Sequence, residues 1–323
     1  MKQGKRLFVK IIARARWALA FCFLAAFAAD NLHAQSVGDV AADSALQARA
    51  MFWDGARAAF ERDMETGFAD AGMYFTAPLR FSARDWGIAL GTLGVCAALL
   101  PTADESARAF AQNSFPRTDF TDGAATLGRL YGELWLGAGL GAGLYAVGLA
   151  AADEHTRVTG RIVIESLAFS GVVTLALKSL AGRSRPFTED GAHTFAPVQI
   201  ADERTAFPSG HATVAFAVSA VLSERVGNPW IGAGLYALAS LTALSRVYHD
   251  KHWVSDVVLG GAIGAGAGLL AAHFERERSE KASDATTAHR SQADAPFARD
   301  AFFIRQITFI PMPTGIGVIG VFR

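Results

Sequence analysis

"ALSRVYHDKHWVSDVVLG", residues 243–260, gathers Arg246, His249, Asp250, Lys251, His252 and Asp256 between an apolar run and a glycine-rich one. Ionisable groups are costly inside an apolar environment, so a chain that collects them where two apolar helices meet is using them at a mouth. The spacing narrows that use. His252 and Asp256 are four residues apart, so at the start of a helix they share a face, and the carboxylate can hold one imidazole nitrogen while the other stays free to attack. His249 has Trp253 at the same offset and lacks such a partner.

Outward from this junction lie six apolar stretches, 86–103, 134–152, 162–177, 211–223, 229–244 and 257–273. Each falls short of the ~20 residues of a comfortable spanning helix, and each is rich in Ala and Gly rather than Leu and Ile. Glycine spacing compensates: Gly137 with Gly141, Gly139 with Gly143, and the ladder Gly260, Gly264, Gly268 stand one turn apart, which lets backbones approach closely in lipid. In water each would weaken a helix by up to ~1 kcal/mol relative to Ala. The expectation is an all-α protein, a bundle of six transmembrane helices.

Two further polar clusters interrupt the second half. Lys178 to Pro186, "KSLAGRSRP", closes the third stretch, and Phe207 to Thr213, "FPSGHAT", opens the fourth. If every stretch spans, the third and fifth end on the side where the fourth and sixth begin, so all three clusters converge on one mouth. Lys178, Arg185 and Arg246 then supply fixed cations, and an arginine fork matches two phosphate oxygens at once. Ser209 can cap the fourth helix, and Gly210 leaves room for an anion against N–H groups at the positive end of its dipole. His211, at that helix start, is placed to protonate a departing alkoxide and later to take a proton from water. Arg183, His193, His249, Asp250 and Lys251 read as caps or surface groups, and Glu165, inside the third stretch, reads equally well as functional or as a plain polar contact. No cluster has metal-ligand spacing, so no metal and no cofactor is expected.

The rest of the chain frames this core. Of 323 residues, 51% are hydrophobic and 19% charged, too apolar for a disordered chain and too interrupted by charge for one continuous membrane block. With 30 basic and 30 acidic residues the net charge is zero, so nucleic acid is not an expected partner and any anion recognition is local. Residues 1–34 show a basic region, an apolar stretch from Trp17 to Ala28 and small residues before Gln35, the pattern of a secretory signal, and an uncleaved anchor is the alternative. Cys22 and Cys96 are the two cysteines, so an exported mature chain would hold one and no internal disulfide. In 35–85, Phe52, Ala56, Ala59, Phe60, Met64 and Phe68 recur at helical spacing, predicting an amphipathic helix. The core is expected over 86–274, a polar linker over 275–300, and a short hairpin-like β tail over 301–323.

Lys178 with Arg185-Pro186, Pro208-Ser209-Gly210-His211, and Ser245-Arg246 with His252 and Asp256 resemble the three-part signature of the type 2 phosphatidic acid phosphatase (PAP2) and vanadium haloperoxidase superfamily. All three parts stand intact and in order, within about residues 86–273. The resemblance implies that Lys178, Arg185, Ser209, Gly210 and Arg246 bind phosphate, that His252 is the nucleophile oriented by Asp256, and that His211 is the general acid. It implies metal-independent hydrolysis of a phosphate monoester or pyrophosphate, on a lipid if the helices span, through a phosphohistidine.

Three alternatives stand beside that reading: a periplasmic acid phosphatase for small soluble phosphomonoesters, a vanadate-dependent haloperoxidase, and a non-enzymatic membrane scaffold. The expected partners are a phosphorylated lipid substrate and a membrane, and no motif encodes an oligomeric state. The expected place is a bacterial cell envelope, as a multi-pass inner-membrane protein with the site facing the periplasm. Arg157, Arg161 and Arg225, opposite the motifs, agree with that under the positive-inside rule. Crossing parity disagrees, because a cleaved signal followed by six spans puts the mouth in the cytoplasm.

Overall fold

The computed structural model describes residues 39–198, 201–293, 307–312 and 315–320. The expected signal segment lies outside them. The chain divides at Thr66 and Gly67 into two units. Helix α1, Asp39–Thr76, runs through that point. Of the apolar residues expected at helical spacing, Phe52, Phe60 and Met64 in the first unit and Phe68 in the second are exposed.

The second unit continues with α2 (Ala83–Thr102), α3 (Asp104–Ala109), α4 (Asp119–Tyr131), α5 (Leu134–Ala150), α6 (Glu154–Ala181), α7 (Gly210–Val226), α8 (Pro229–Tyr248) and α9 (Val254–Ala293). Helix starts follow from local chemistry. Ser82 and Asp85 form a capping box on α2, as do Thr118 and Thr121 on α4. Asn228 caps α8, accepting from the Trp230 and Ile231 N–H groups, with Pro229 at its first position. Helix α6 ends at Gly182, whose φ of 56° is the left-handed conformation glycine tolerates, and a Cβ there would sit 1.7 Å from the Ala196 carbonyl oxygen.

Helix α7 is the hub. Ala217, Val218 and Val221 pack with Val158, Ile162, Val163 and Leu167 of α6 and with Ala271 of α9. The glycine ladder of α9 meets the other side of α7. Cβ atoms added at Gly260, Gly264 and Gly268 would lie 2.4, 2.1 and 2.7 Å from the carbonyl oxygens of Ser209, Thr213 and Ala217, so only glycine permits this approach. Gly137 and Gly141 likewise face α6 and α7, whereas Gly139 and Gly143 face no neighbour.

Helices α2, α6 and α9 are long and apolar enough to cross a membrane, and α4 with α5, bent by 56°, makes a fourth candidate. Among the described residues these are fewer candidates than the six spans expected from the apolar stretches. Helix α7, with 17 residues, is about 25 Å long, short of a ~30 Å hydrocarbon core. Only 6% of the apolar window of α2 is buried, and Trp86, Ile88, Leu90, Leu93 and Val95 point outward, as a lipid-facing helix requires.

The stretch expected to be a polar linker differs too. Residues 275–293 continue α9 as helix, fastened by charge. Arg278 pairs with Glu275 at 2.5 Å and with Asp70, while Arg161 pairs with Glu275, with Asp70 at 3.4 Å and with Glu165 at 2.9 Å. Glu165 thus belongs to an ion cluster in the first half of α6, away from the motifs. In the tail, Ile307–Met312 and Gly315–Gly320 pair as an antiparallel hairpin.

Candidate active site

The three clusters meet where α6 ends, α7 begins and α8 passes to α9. His252 lies between α8 and α9, 3% exposed, with Nδ1 2.7 Å from the Ala206 carbonyl oxygen. A carbonyl only accepts, so the hydrogen sits on Nδ1 and the lone pair on Nε2. Asp256 is fully buried, and its Oδ2 lies 3.5 Å from the same Nδ1. The expected direct grip of carboxylate on imidazole therefore gives way to a closer main-chain acceptor. Asp256 is also engaged elsewhere: at the third position of α9 its Oδ2 takes the Trp253 N–H at 2.8 Å, closing the helix start, and its Oδ1 takes Arg183 Nη1 at 2.5 Å.

Burial, first of all, holds the His252 pKa well below the ordinary imidazole value, and the positive charges of Lys178, Arg185 and Arg246, together with His211, act in the same direction. Lys178, Arg185 and His211 come from the other two motif segments, and Arg246 from the same one as His252. Lys178 donates to the Thr205 carbonyl at 2.5 Å, and its Cε would lie 3.8 Å from a Cβ at Gly210. Arg185 turns one nitrogen to Asp202 at 2.7 Å. Ser209 donates its N–H to the Asp256 carbonyl at 2.9 Å, tying the second motif to the third.

Buried donors converge here without partners. Ser209 Oγ, Arg185 Nε, and Arg246 Nε and Nη1 are all buried and make no hydrogen bond. Ser209 stands at the start of α7, but its hydroxyl does not cap the helix as the sequence led one to expect. Buried polar groups are ordinarily satisfied, and leaving one unmade costs on the order of 1–3 kcal/mol. Such donors suit a multiply charged oxyanion, which would accept from all of them.

Three residues beyond the sequence reading support this arrangement. Arg183, read as a cap or surface group, is 0% exposed and bridges Asp256 to Asp104 Oδ2 at 2.7 Å. Asp104 in turn accepts from the Ser255 N–H at 2.9 Å and the Ser255 hydroxyl at 2.6 Å, so α3 pins the first turn of α9. Glu133 brings Oε1 to 3.6 Å from His211 Nε2. The side-chain partners of Arg183 and Asp104 lie more than 70 residues away, and only the "GRSRP" run, with two arginines two apart, carried any local signal. Of the other residues set aside, His193 is exposed, Asp250 takes a two-pronged bond from Arg108 at 2.8 and 2.9 Å, and Lys251 lies 4.1 Å from the Phe187 ring centre.

Residues 159–280, which carry all three clusters, match the model of the PAP2 superfamily. Over 118 residues it is 34% identical to a Rhizobium johnstonii protein named lipid A 1-phosphatase, covering 35% of this chain and 46% of that one. Over 111 residues it is 37% identical to the Escherichia coli K12 protein named "Putative undecaprenyl-diphosphatase YbjG", covering 34% and 52%. The chain spans about half or less of the length of the curated relatives it matches. A solved structure, the first transmembrane PAP2 type phosphatidylglycerolphosphate phosphatase from Bacillus subtilis, is 22% identical with a TM-score of 0.46, covering 59% of this chain and 95% of that one.

Proposed function

We propose that this chain hydrolyses a phosphate monoester or pyrophosphate on a lipid, without a metal, through a phosphohistidine at His252. The observation that carries the reading is the set of buried, unpartnered donors of Ser209, Arg185 and Arg246 in the cluster that also holds His252. Lys178, Arg185 and Arg246 neutralise the phosphoryl oxygens, and Ser209 with the N–H groups beside Gly210 completes the cradle. The His252 Nε2 lone pair forms a bond to phosphorus as the P–O bond breaks, and His211 gives its proton to the departing oxygen. Water then attacks the phosphohistidine, His211 takes a proton from it, the P–N bond breaks, and inorganic phosphate leaves. Asp256 offsets the positive charge that builds on the imidazole.

A lipid substrate is favoured over a small soluble ester by the candidate spans that border the site and by relatives named for lipid A and undecaprenyl diphosphate. We infer that the site faces the periplasm, a reading supported by Arg157, Arg161 and Arg225, which lie away from the motif ends of α6 and α7. Phosphate release from a lipid monophosphate and a lipid pyrophosphate in detergent micelles tests the reading: the full chain is active with chelator present, and His252→Asn, folded by circular dichroism, is inactive. Equal activity of His252→Asn refutes it. For orientation, Val198→Cys at an 80% exposed position is labelled in intact cells by a membrane-impermeant maleimide if the site faces outward, and only after lysis if it faces inward.

A further inference from the structure

Glu133 stands in the bend where α4 meets α5. Gly132, just before it, is pressed against α7: a Cβ there would lie 2.8 Å from the His211 carbonyl oxygen and 3.0 Å from its Cβ. That approach, possible only for glycine, carries the Glu133 side chain to His211, with Oε1 3.6 Å from Nε2. Arg129, one turn earlier, donates to the same Oε1 at 2.7 Å and fixes the carboxylate from its other side. The charged groups that face His211 are Arg246 from α8, Arg129 from α4 and Glu133 from the bend. Burial, first of all, pushes the His211 pKa down to about 4 and the two cations act in the same direction, while Glu133 alone favours a proton on the imidazole.

We propose that Glu133 is a positioning residue for the leaving-group acid, its charge beside Nε2 favouring the protonated imidazole against burial and the two cations, so that Nδ1 serves the departing oxygen. The proposal rests on the reading of His211 as the acid. The proton on Nδ1 passes to the ester oxygen as the P–O bond breaks and the bond between phosphorus and His252 Nε2 forms. Glu133 touches no reacting atom and keeps its charge throughout.

The test compares two substrates of the full-length chain in detergent. An alkyl phosphate monoester leaves as an alkoxide that must be protonated, whereas p-nitrophenyl phosphate leaves as a stable phenolate that needs no acid. Glu133→Gln lowers kcat/KM for the alkyl ester by about 10- to 100-fold, part of the contribution of a positioned acid, and spares the aryl ester to within about threefold. The alkaline limb of the alkyl-ester profile moves to lower pH, and Glu133→Asp, which keeps the charge, returns it toward the wild-type position. In a His211→Ala background, Glu133→Gln costs nothing further. Equal losses on both substrates, or no loss on either, overturn the proposal and leave the phosphatase reading standing. A wild-type chain that hydrolyses neither substrate overturns both.

Discussion

His252 gives its Nδ1 hydrogen to the main-chain oxygen of Ala206 at 2.7 Å, and Asp256 approaches that nitrogen only to 3.5 Å. Tautomer and charge are therefore supplied by different groups. The carbonyl fixes the lone pair on Nε2, and the carboxylate contributes mainly its field.

Asp256→Asn is consequently milder than the ~10⁴-fold loss seen where a carboxylate alone sets the tautomer of a catalytic histidine. A fall in kcat on the order of 10- to 100-fold is expected, with KM little changed. Steady-state kinetics on p-nitrophenyl phosphate measures it, and a loss near 10⁴-fold would show that the carboxylate, not Ala206, orients the ring.

The pH profile follows from the depressed pKa of His252. A lowered imidazole pKa keeps the lone pair available as pH falls, so the acidic limb of kcat/KM lies below the ordinary histidine value of about 6.5. Stability has a related dependence. The unfolded chain takes up a proton near pH 6.5 that the buried ring refuses, so this contribution is complete above that value and is lost as pH falls below it. Thermal melts of wild type and His252→Gln across pH 5 to 8 diverge accordingly, the wild type losing more toward acid.

Arg183 carries two buried carboxylates, Asp104 at 2.7 Å and Asp256 at 2.5 Å. Arg183→Met strands both and destabilises the fold by about 3–5 kcal/mol, the usual cost of breaking a buried pair. Pairing it with Asp104→Leu recovers part of that loss, because one uncompensated charge is gone. Denaturant melts of the single and double variants in the same detergent compare the two.

Gly264 and Gly266 lie in the same helix with opposite surroundings. A Cβ at 264 meets the Thr213 oxygen at 2.1 Å, whereas nothing lies within 4 Å of one at 266. Gly264→Ala forces α9 off α7, costing about 1–3 kcal/mol or more, while Gly266→Ala is neutral or slightly stabilising. Melting temperatures of the two variants settle the comparison.

The legibility of this chain in its sequence tracks contact range. Lys178, Arg185, Ser209, His211, Arg246, His252 and Asp256 were readable because each motif is a short run at one helix end, where spacing translates directly into shared direction. The ladder Gly260, Gly264, Gly268 was readable for the same reason. Asp104 was not, since its partners Arg183 and Ser255 are 79 and 151 residues away. Ala206 was not, because a main-chain oxygen carries no residue signature. Over 275–293 composition pointed to a linker, yet Arg278 and Glu275 find Asp70 and Arg161 across the fold and the helix continues. Six apolar stretches stand against three candidate spans and one bent pair among the described residues, because apolar runs mark burial inside a bundle as readily as exposure to lipid, and α7 is buried by its neighbours.

Trapping the covalent intermediate tests the central claim most directly. The full chain is mixed with lipid phosphate labelled in its phosphoryl group, quenched in alkali, which preserves phosphohistidine, and its peptides are mapped by mass spectrometry. The account predicts transient label on His252 and none in His252→Asn. Label on any other residue, or undiminished turnover in His252→Asn, contradicts it.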